Sequence, residues 1–196
     1  MTIKLLFLAG SARDGSFNKK LARLGHKIAD DKGIPSAFAD LADYPMPLYN
    51  GDDEVASGPP ENAKKLKALM ALHDGILITS PEYNASIPPL LKNALDWVSR
   101  VKGNADTPLD VFRTRVFALG SASPGGMGGL RGLIAVRTVL EMGLGALVLP
   151  DQFAVPRAAK AFDDNGSLND KEAEGRYTSL IDQLHNAARI LHGPDA

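Results

Sequence analysis

The chain has 196 residues, of which 44% are hydrophobic, 23% charged and 6% aromatic, a profile that excludes collagen, a disordered tail and a coiled-coil rod. At this length a single domain over residues 1–196 can bury roughly 70% of the surface its unfolded form exposes, so neither disulfides nor a structural metal is required. Lys and Arg total 22 against 23 Asp and Glu, a net charge of -1, which offers no global field for gripping nucleic acid or anionic lipid.

The sequence contains no Cys, which removes thiol nucleophiles, CxxC pairs and Cys-ligated metal centres. Any redox chemistry must then ride on a bound cofactor. The N-terminal apolar stretch is short, Arg13 and Asp14 follow it, and no signal-cleavage pattern appears. No run approaches the ~20 apolar residues of a membrane span. A cytoplasmic protein with no membrane or nucleic-acid partner is expected.

Taken in chain order, five apolar runs read as strands: Ile3 to Ala9, Ser36 to Leu41, Gly75 to Thr79, Val116 to Gly120 and Ala146 to Leu149. None alternates cleanly, so each is read as buried on both faces. Helical spacing lies between them: Asn18 to Lys32 with Leu21, Leu24 and Ile28, then Ala63 to Leu72 with Leu66, Leu69 and Met70. Leu90 to Val101 follows Pro88 and Pro89, which suit a first helical turn, and Leu130 to Met142 and Asp170 to Leu191 complete the set. Strand alternating with helix predicts an α/β fold, a parallel sheet covered by helices on both faces. The long connections Tyr44 to Pro60, Gly103 to Pro108 and Pro150 to Asn169 read as loops.

In an open α/β sheet, ligands bind beyond the carboxyl ends of the strands. After the first strand comes Gly10-Ser11-Ala12-Arg13-Asp14-Gly15-Ser16-Phe17-Asn18. Short hydroxyl and amide side chains, a fork-shaped cation and a helix start make an anion cradle, with phosphate the expected anion. From Ser11 to Arg23 the charges are Arg13, Lys19, Lys20 and Arg23 against Asp14, a local surplus of 4 − 1 = +3. The loop is neither a Walker loop, since Ser16 and Phe17 stand where Lys and Ser/Thr are needed, nor a GxGxxG turn. A cradle for one terminal phosphate suits a mononucleotide.

After the third strand the chain reads Ser80-Pro81-Glu82-Tyr83-Asn84-Ala85-Ser86, an aromatic, an amide and a carboxylate placed where a flat heterocycle would extend. The fourth strand ends in Ser121-Ala122-Ser123-Pro124-Gly125-Gly126-Met127-Gly128-Gly129, bare backbone that a planar ligand can approach closely. An ordinary capped turn or a merely flexible loop would look the same in each stretch. The four His, at 26, 73, 185 and 192, lack ligand spacing, so no metal is expected.

Together the Gly10 to Arg13 loop with Ser16 and Asn18, the Pro81 to Arg100 stretch, and the Gly-rich loop with Arg131 resemble the flavodoxin-like NAD(P)H-dependent FMN reductases, bacterial quinone and chromate reductases among them. The resemblance runs from residue 3 to about 150, and Pro81 to Arg100 is its most specific part. It implies strand order 2-1-3-4-5 and FMN at the switch point between strands one and three. It places the FMN phosphate on Ser11, Arg13, Ser16 and Asn18 beside Phe17. Pro81, Glu82, Tyr83 and Asn84 would line the ring, and Ser121 to Gly125 would close its other side.

No catalytic side chain is implied. Hydride from NAD(P)H would pass to flavin N5, and electrons then to a quinone, azo compound, chromate or free flavin. Backbone N–H groups of the Glu82 to Asn84 turn would bond the ring edge. The resemblance also implies a homodimer or homotetramer. The alternative reading is a flavodoxin-type electron carrier with no nicotinamide site of its own.

Overall fold

A computed structural model describes residues 2–102 and 109–193, so the expected Gly103 to Pro108 loop lies outside the described residues. Five parallel strands form one sheet in the order β2-β1-β3-β4-β5. They are β1 (Leu5–Ala9), β2 (Ser36–Asp40), β3 (Gly75–Thr79), β4 (Val116–Ala122) and β5 (Leu147–Val155). The order is the one the resemblance implies.

Strands β1, β3 and β4 are buried along their whole length, as their unbroken apolar runs require. β2 and β5 are partly exposed, because each lies at a sheet edge with one neighbour. Burial on both faces, expected for all five strands, therefore holds for the central three. Alternate residues of β1 feed two cores. Leu5 and Phe7 pack with helices α1 (Phe17–Asp31) and α7 (Lys171–His192) on one side. Leu6 and Leu8 pack on the other with α3 (Glu61–Ala71), α4 (Pro89–Arg100) and α6 (Leu130–Thr138).

Three features depart from the sequence reading. β5 continues past Pro150: the pairing jumps from Phe117↔Val148 to Leu119↔Gln152, so the proline is accommodated in a bulge on an edge strand. Arg137 braces that bulge, donating from Nη2 to the carbonyls of Leu149 and Pro150. The expected loop from Pro150 is thus strand as far as Val155. Next, α6 gives way at Val139–Gly143 to a wider turn. Last, the Tyr44 to Pro60 loop contains a short helix, α2 (Gly51–Ser57), and α5 (Asp110–Arg113) precedes β4. α2 buries none of its residues, so it has no apolar stripe to read. Asn50 caps it, accepting from Asp52 N–H.

The motif on α4 holds the Tyr44 to Pro60 segment. Asn93 accepts from Tyr49 N–H (2.8 Å) and donates to Pro47 O (2.9 Å), and Trp97 Nε1 donates to the same carbonyl (2.8 Å). Tyr49 meets the Trp97 ring edge-on at 5.0 Å between centroids.

The strand ends are tied across the sheet at the face that would carry a ligand. Asn18, 2% exposed, donates from Nδ2 to Ala122 O and accepts at Oδ1 from Ala122 N–H, both at 3.0 Å. Thr79 Oγ1 donates to Asn18 O at 2.9 Å. One residue of α1 thereby registers the ends of β3 and β4. Asn18→Ala leaves the amide and carbonyl of Ala122 buried without partners, and a loss of about 2–4 kcal/mol is expected in urea unfolding; a change below about 0.5 kcal/mol would show that Asn18 does not form this tie.

Candidate active site

Loop one leaves β1 at Gly10, whose N–H donates to Thr79 O (2.8 Å). A Cβ at Gly10 would lie 3.0 Å from the Leu91 side chain, so glycine lets the loop cross close over α4. Ser16 then caps α1, accepting at Oγ from Asn18 N–H (3.2 Å) and Lys19 N–H (3.4 Å). Ser11 Oγ accepts from Arg13 N–H at 3.4 Å. Among the described residues, the N–H groups of Ala12, Asp14, Gly15 and Phe17 meet no acceptor. Donors without acceptors at a helix start are the groups that hold an anion.

The charge around the cradle is smaller than the sequence count. Lys19 is buried and paired with Asp40 at the end of β2, Nζ to Oδ2 2.8 Å. Arg23 lies over the Phe38 ring at 4.8 Å and, with Lys20, lines a cleft that also contains Asp163 and Asp164. The surplus of +3 is thus turned elsewhere. Arg13 remains, exposed and with no carboxylate partner among the described residues.

The expected side chains divide. Ser11 and Arg13 line the loop. Ser16 Oγ accepts two backbone N–H groups at the cap and keeps its own O–H to donate, whereas Asn18 spends its amide on Ala122 and brings a fixed backbone. Phe17 is half-buried and packs against the core on the α1 and α7 side.

The turn after β3 is sharp. Tyr83 and Ser86 exchange both backbone hydrogen bonds, N to O 3.1 and 3.0 Å, while Asn84 (φ 50°) and Ala85 (φ 63°) occupy the left-handed region. Two successive left-handed residues make a type I′ turn, and the alanine holds a strained backbone there. Among the described residues the N–H groups of Asn84 and Ala85 meet no acceptor. Tyr83 and Asn84 are exposed at the tip and Pro81 is half-buried.

Glu82 is committed to protein partners. Its side chain, 9% exposed, turns under α6 and accepts from Arg131 Nε (2.9 Å) and Nη2 at Oε1, and from Gly132 N–H (3.1 Å) at Oε2. Burial raises its pKa, but the Arg131 hydrogen bonds, the Gly132 N–H and the Arg131 charge outweigh burial and hold the carboxyl below its ordinary value. It stays ionised at neutral pH, a poor general acid.

The glycines after β4 serve two purposes. Gly129 (φ 93°) passes so close to Ser121 that a Cβ would overlap Ser121 Oγ, and a Cβ on Gly132 would lie 2.9 Å from Glu82 Cβ. Gly128 (φ 64°) is pressed equally against Val155 and Pro156. These three fit protein to protein, whereas Gly126 has open space beside it and a Cβ at Gly125 would meet only Ser123 Oγ at an ordinary 3.6 Å. Residues beyond 155 close the loop from behind: Arg157 N–H donates to Gly125 O (3.1 Å) and Ala158 N–H to Ser123 O (3.0 Å). No sequence motif marks this brace. Ser121 Oγ is buried and without a hydrogen-bond partner, an orphan of the kind that ligand sites leave.

Among the described residues the three loops therefore present backbone donors without acceptors beside an exposed Arg13 beyond β1, a sharp turn with two N–H groups that meet no acceptor beyond β3, and a glycine-rich backbone beyond β4. These groups fit a monophosphate joined to a flat ring whose edge accepts hydrogen bonds.

Comparison with known proteins agrees. Residues 3–160 match the family of NADPH-dependent FMN reductases. The chain is 34% identical to a probable NADPH:quinone oxidoreductase 2 of Oryza sativa subsp. japonica, over 99% of this chain and 93% of that one. It is 36% identical to a quinone reductase of Pseudomonas putida, over 84% and 83% of the two chains. A flavoenzyme NAD(P)H:(acceptor) oxidoreductase from Paracoccus denitrificans superposes with a TM-score of 0.76 over 96% of this chain and 98% of that one, at 24% identity. The sheet order, the loop geometry and these likenesses converge: the chain belongs to the NADPH-dependent FMN reductase family.

Proposed function

We propose that this chain is an FMN-dependent oxidoreductase that oxidises NAD(P)H and reduces quinones. The observation that carries the site assignment is the loop from Ser11 to Phe17, whose donors and unneutralised Arg13 lie where the chain leaves β1 for β2 on one side and returns as β3 on the other. That divergence is the switch point of an open α/β sheet.

The chain's own residues position and tune. Ser11 and Arg13, with the backbone fixed by Ser16 and Asn18, hold the phosphate beside Phe17. Pro81, Tyr83 and Asn84 line the ring, and the Asn84 and Ala85 N–H groups aim at its polar edge, where they favour added negative charge. Glu82 holds that turn in place from beneath. Ser121 and Gly125 form the opposite wall. Bound FMN supplies the chemistry no side chain here can: accepting hydride from a reduced nicotinamide and releasing electrons to an acceptor. With one ring face to share, the two substrates take turns, which predicts ping-pong kinetics.

The quinone assignment draws on the two relatives named for that activity. Azo compounds, chromate and free flavin are further acceptors for the same open face. We assign the chain to the cytoplasm as a homo-oligomer; among the described residues no helix is long and apolar enough to cross a membrane. Ile134 on α6, Met142 on the wide turn and Leu147 on β5 are each more than half exposed, and apolar side chains so placed favour a subunit contact.

Arg13→Ala tests the phosphate assignment. Because the guanidinium is exposed, the expected loss of FMN affinity is about 1.5 kcal/mol, roughly tenfold, at the lower end for a charge-assisted hydrogen bond. Titration by quenching of flavin fluorescence reads it directly, and unchanged affinity contradicts the assignment. Light scattering should show two or four times the 20.8 kDa of one chain; a purely monomeric species at micromolar concentration refutes the oligomer.

A further inference from the structure

The loops after β3 and β4, residues 80–87 and 121–131, carry two charges between them, Glu82 and Arg131. The structure pairs these two with each other. Arg131 stands on the first turn of α6 with its side chain 56% exposed, on the lip of the site, while Glu82 is nearly enclosed beneath it. Oε1 takes both Arg131 donors and Oε2 takes the Gly132 N–H. Gly132 leaves no room for the carboxylate arm to shift, since even a Cβ there would press on Glu82. Of the other charges nearby, Lys19 is paired with Asp40 and Arg13 is assigned above to the phosphate, while Arg157, exposed where its N–H braces Gly125, is the same in every variant compared below.

We propose that Glu82 tunes the charge class of the electron acceptor: by masking Arg131 it cancels the charge of the two loops beside the flavin ring, so that anionic acceptors gain less relative to uncharged planar quinones than they would from an unmasked Arg131. The proposal rests on the flavin reading above. Its physics is elementary. A close ion pair acts at a distance as a dipole, whose field falls off faster than that of a lone charge. With both residues present the two loops sum to zero; without the carboxylate they sum to +1, and without the guanidinium to -1. An acceptor approaching the ring crosses that rim in all three cases, so its own charge decides how much it gains or loses. For a divalent anion about 8 Å from an unmasked charge in water, Coulomb's law gives a change of about fivefold. Glu82 touches neither substrate in this reading and is a positioning residue with an electrostatic effect.

The experiment compares two acceptors on the same flavin-loaded enzyme, with NADPH as donor: uncharged menadione and the dianion anthraquinone-2,6-disulfonate. The readout is the ratio of kcat/KM for the dianion to that for menadione, which cancels differences in flavin content or fraction folded. In low salt Glu82→Gln is expected to raise the ratio about fivefold and Arg131→Met to lower it about fivefold. The double variant, neutral again, returns to within twofold of the parent. Added salt at ~0.5 M should shrink both shifts as the Debye length contracts. A role confined to bracing the turn would move both acceptors together and leave the ratio alone. Single variants with unchanged ratios overturn the proposal, as does a double variant whose ratio stays about fivefold above the parent's. If the parent protein reduces menadione with neither NADPH nor NADH, the flavin reading itself fails, a result separate from an unchanged ratio in an active enzyme.

Discussion

Burial of β1, β3 and β4 on both faces is the constraint from which the rest follows. A strand enclosed by helices above and below has no face left for polar chemistry, so functional groups are displaced to its ends. Parallel pairing then collects the carboxyl ends of all three on one rim. The ties across that rim are backbone-specific: Asn18 meets both polar groups of Ala122, Thr79 meets Asn18 O, and Gly10 N–H meets Thr79 O. Because α1 carries Asn18 one residue after Phe17, the same helix start that offers free N–H groups also sets the spacing of the strands behind them. Cradle and scaffold are one piece of chain.

That economy explains why the polar residues of loop one are less available than their chemistry suggests. A short hydroxyl or amide near a helix start is equally suited to binding an anion and to satisfying the backbone. Here Asn18 does the second, and Ser16 does both, accepting at the cap while its own O–H stays available. Arg13, too long to cap and without a carboxylate partner among the described residues, is the charge proposed to meet the ligand. The glycine-rich loop after β4 divides in the same way: Gly128, Gly129 and Gly132 make room for Val155, Ser121 and Glu82, and Gly125 and Gly126 have no such close neighbour.

What was legible in the sequence follows from which residues answer to local rules. The central strands announce themselves because burial on both faces makes an unbroken apolar run, and β3 is found over the same Gly75–Thr79 that the pattern marks. β5 past Pro150 was hidden because an edge strand can accommodate proline in a bulge, which local rules read as a stop. α2 was hidden because a helix that buries nothing has no periodicity, although Asn50 followed by Asp52, Asp53 and Glu54 is a start signal visible without a structure. The cradle's charge was overcounted because linear proximity says nothing about partners brought from β2 or from the turn at Asp163. Asp40 closing on Lys19 is a tertiary fact.

Glu82 shows the limit most clearly. In the chain it sits between Pro81 and Tyr83, inside the stretch proposed to line the ring, and its charge invites a role in proton transfer. The type I′ turn decides otherwise. With Asn84 and Ala85 both left-handed, the chain reverses within two residues, and the carboxylate is carried under α6 while Tyr83 and Asn84 remain at the exposed tip. There the guanidinium of Arg131 and the N–H of Gly132 stabilise the ionised form more than burial disfavours it. An acid held ionised cannot donate a proton at neutral pH, and a cation held in a pair cannot draw in an anion from afar. The pair therefore removes two candidate side chains from the chemistry and leaves the ring's surroundings to backbone donors, whose partial charges do not change with pH. A site built this way relies on its cofactor for reactivity and on its own chain for position, which agrees with a sequence that has no cysteine and a family that carries its redox chemistry on FMN.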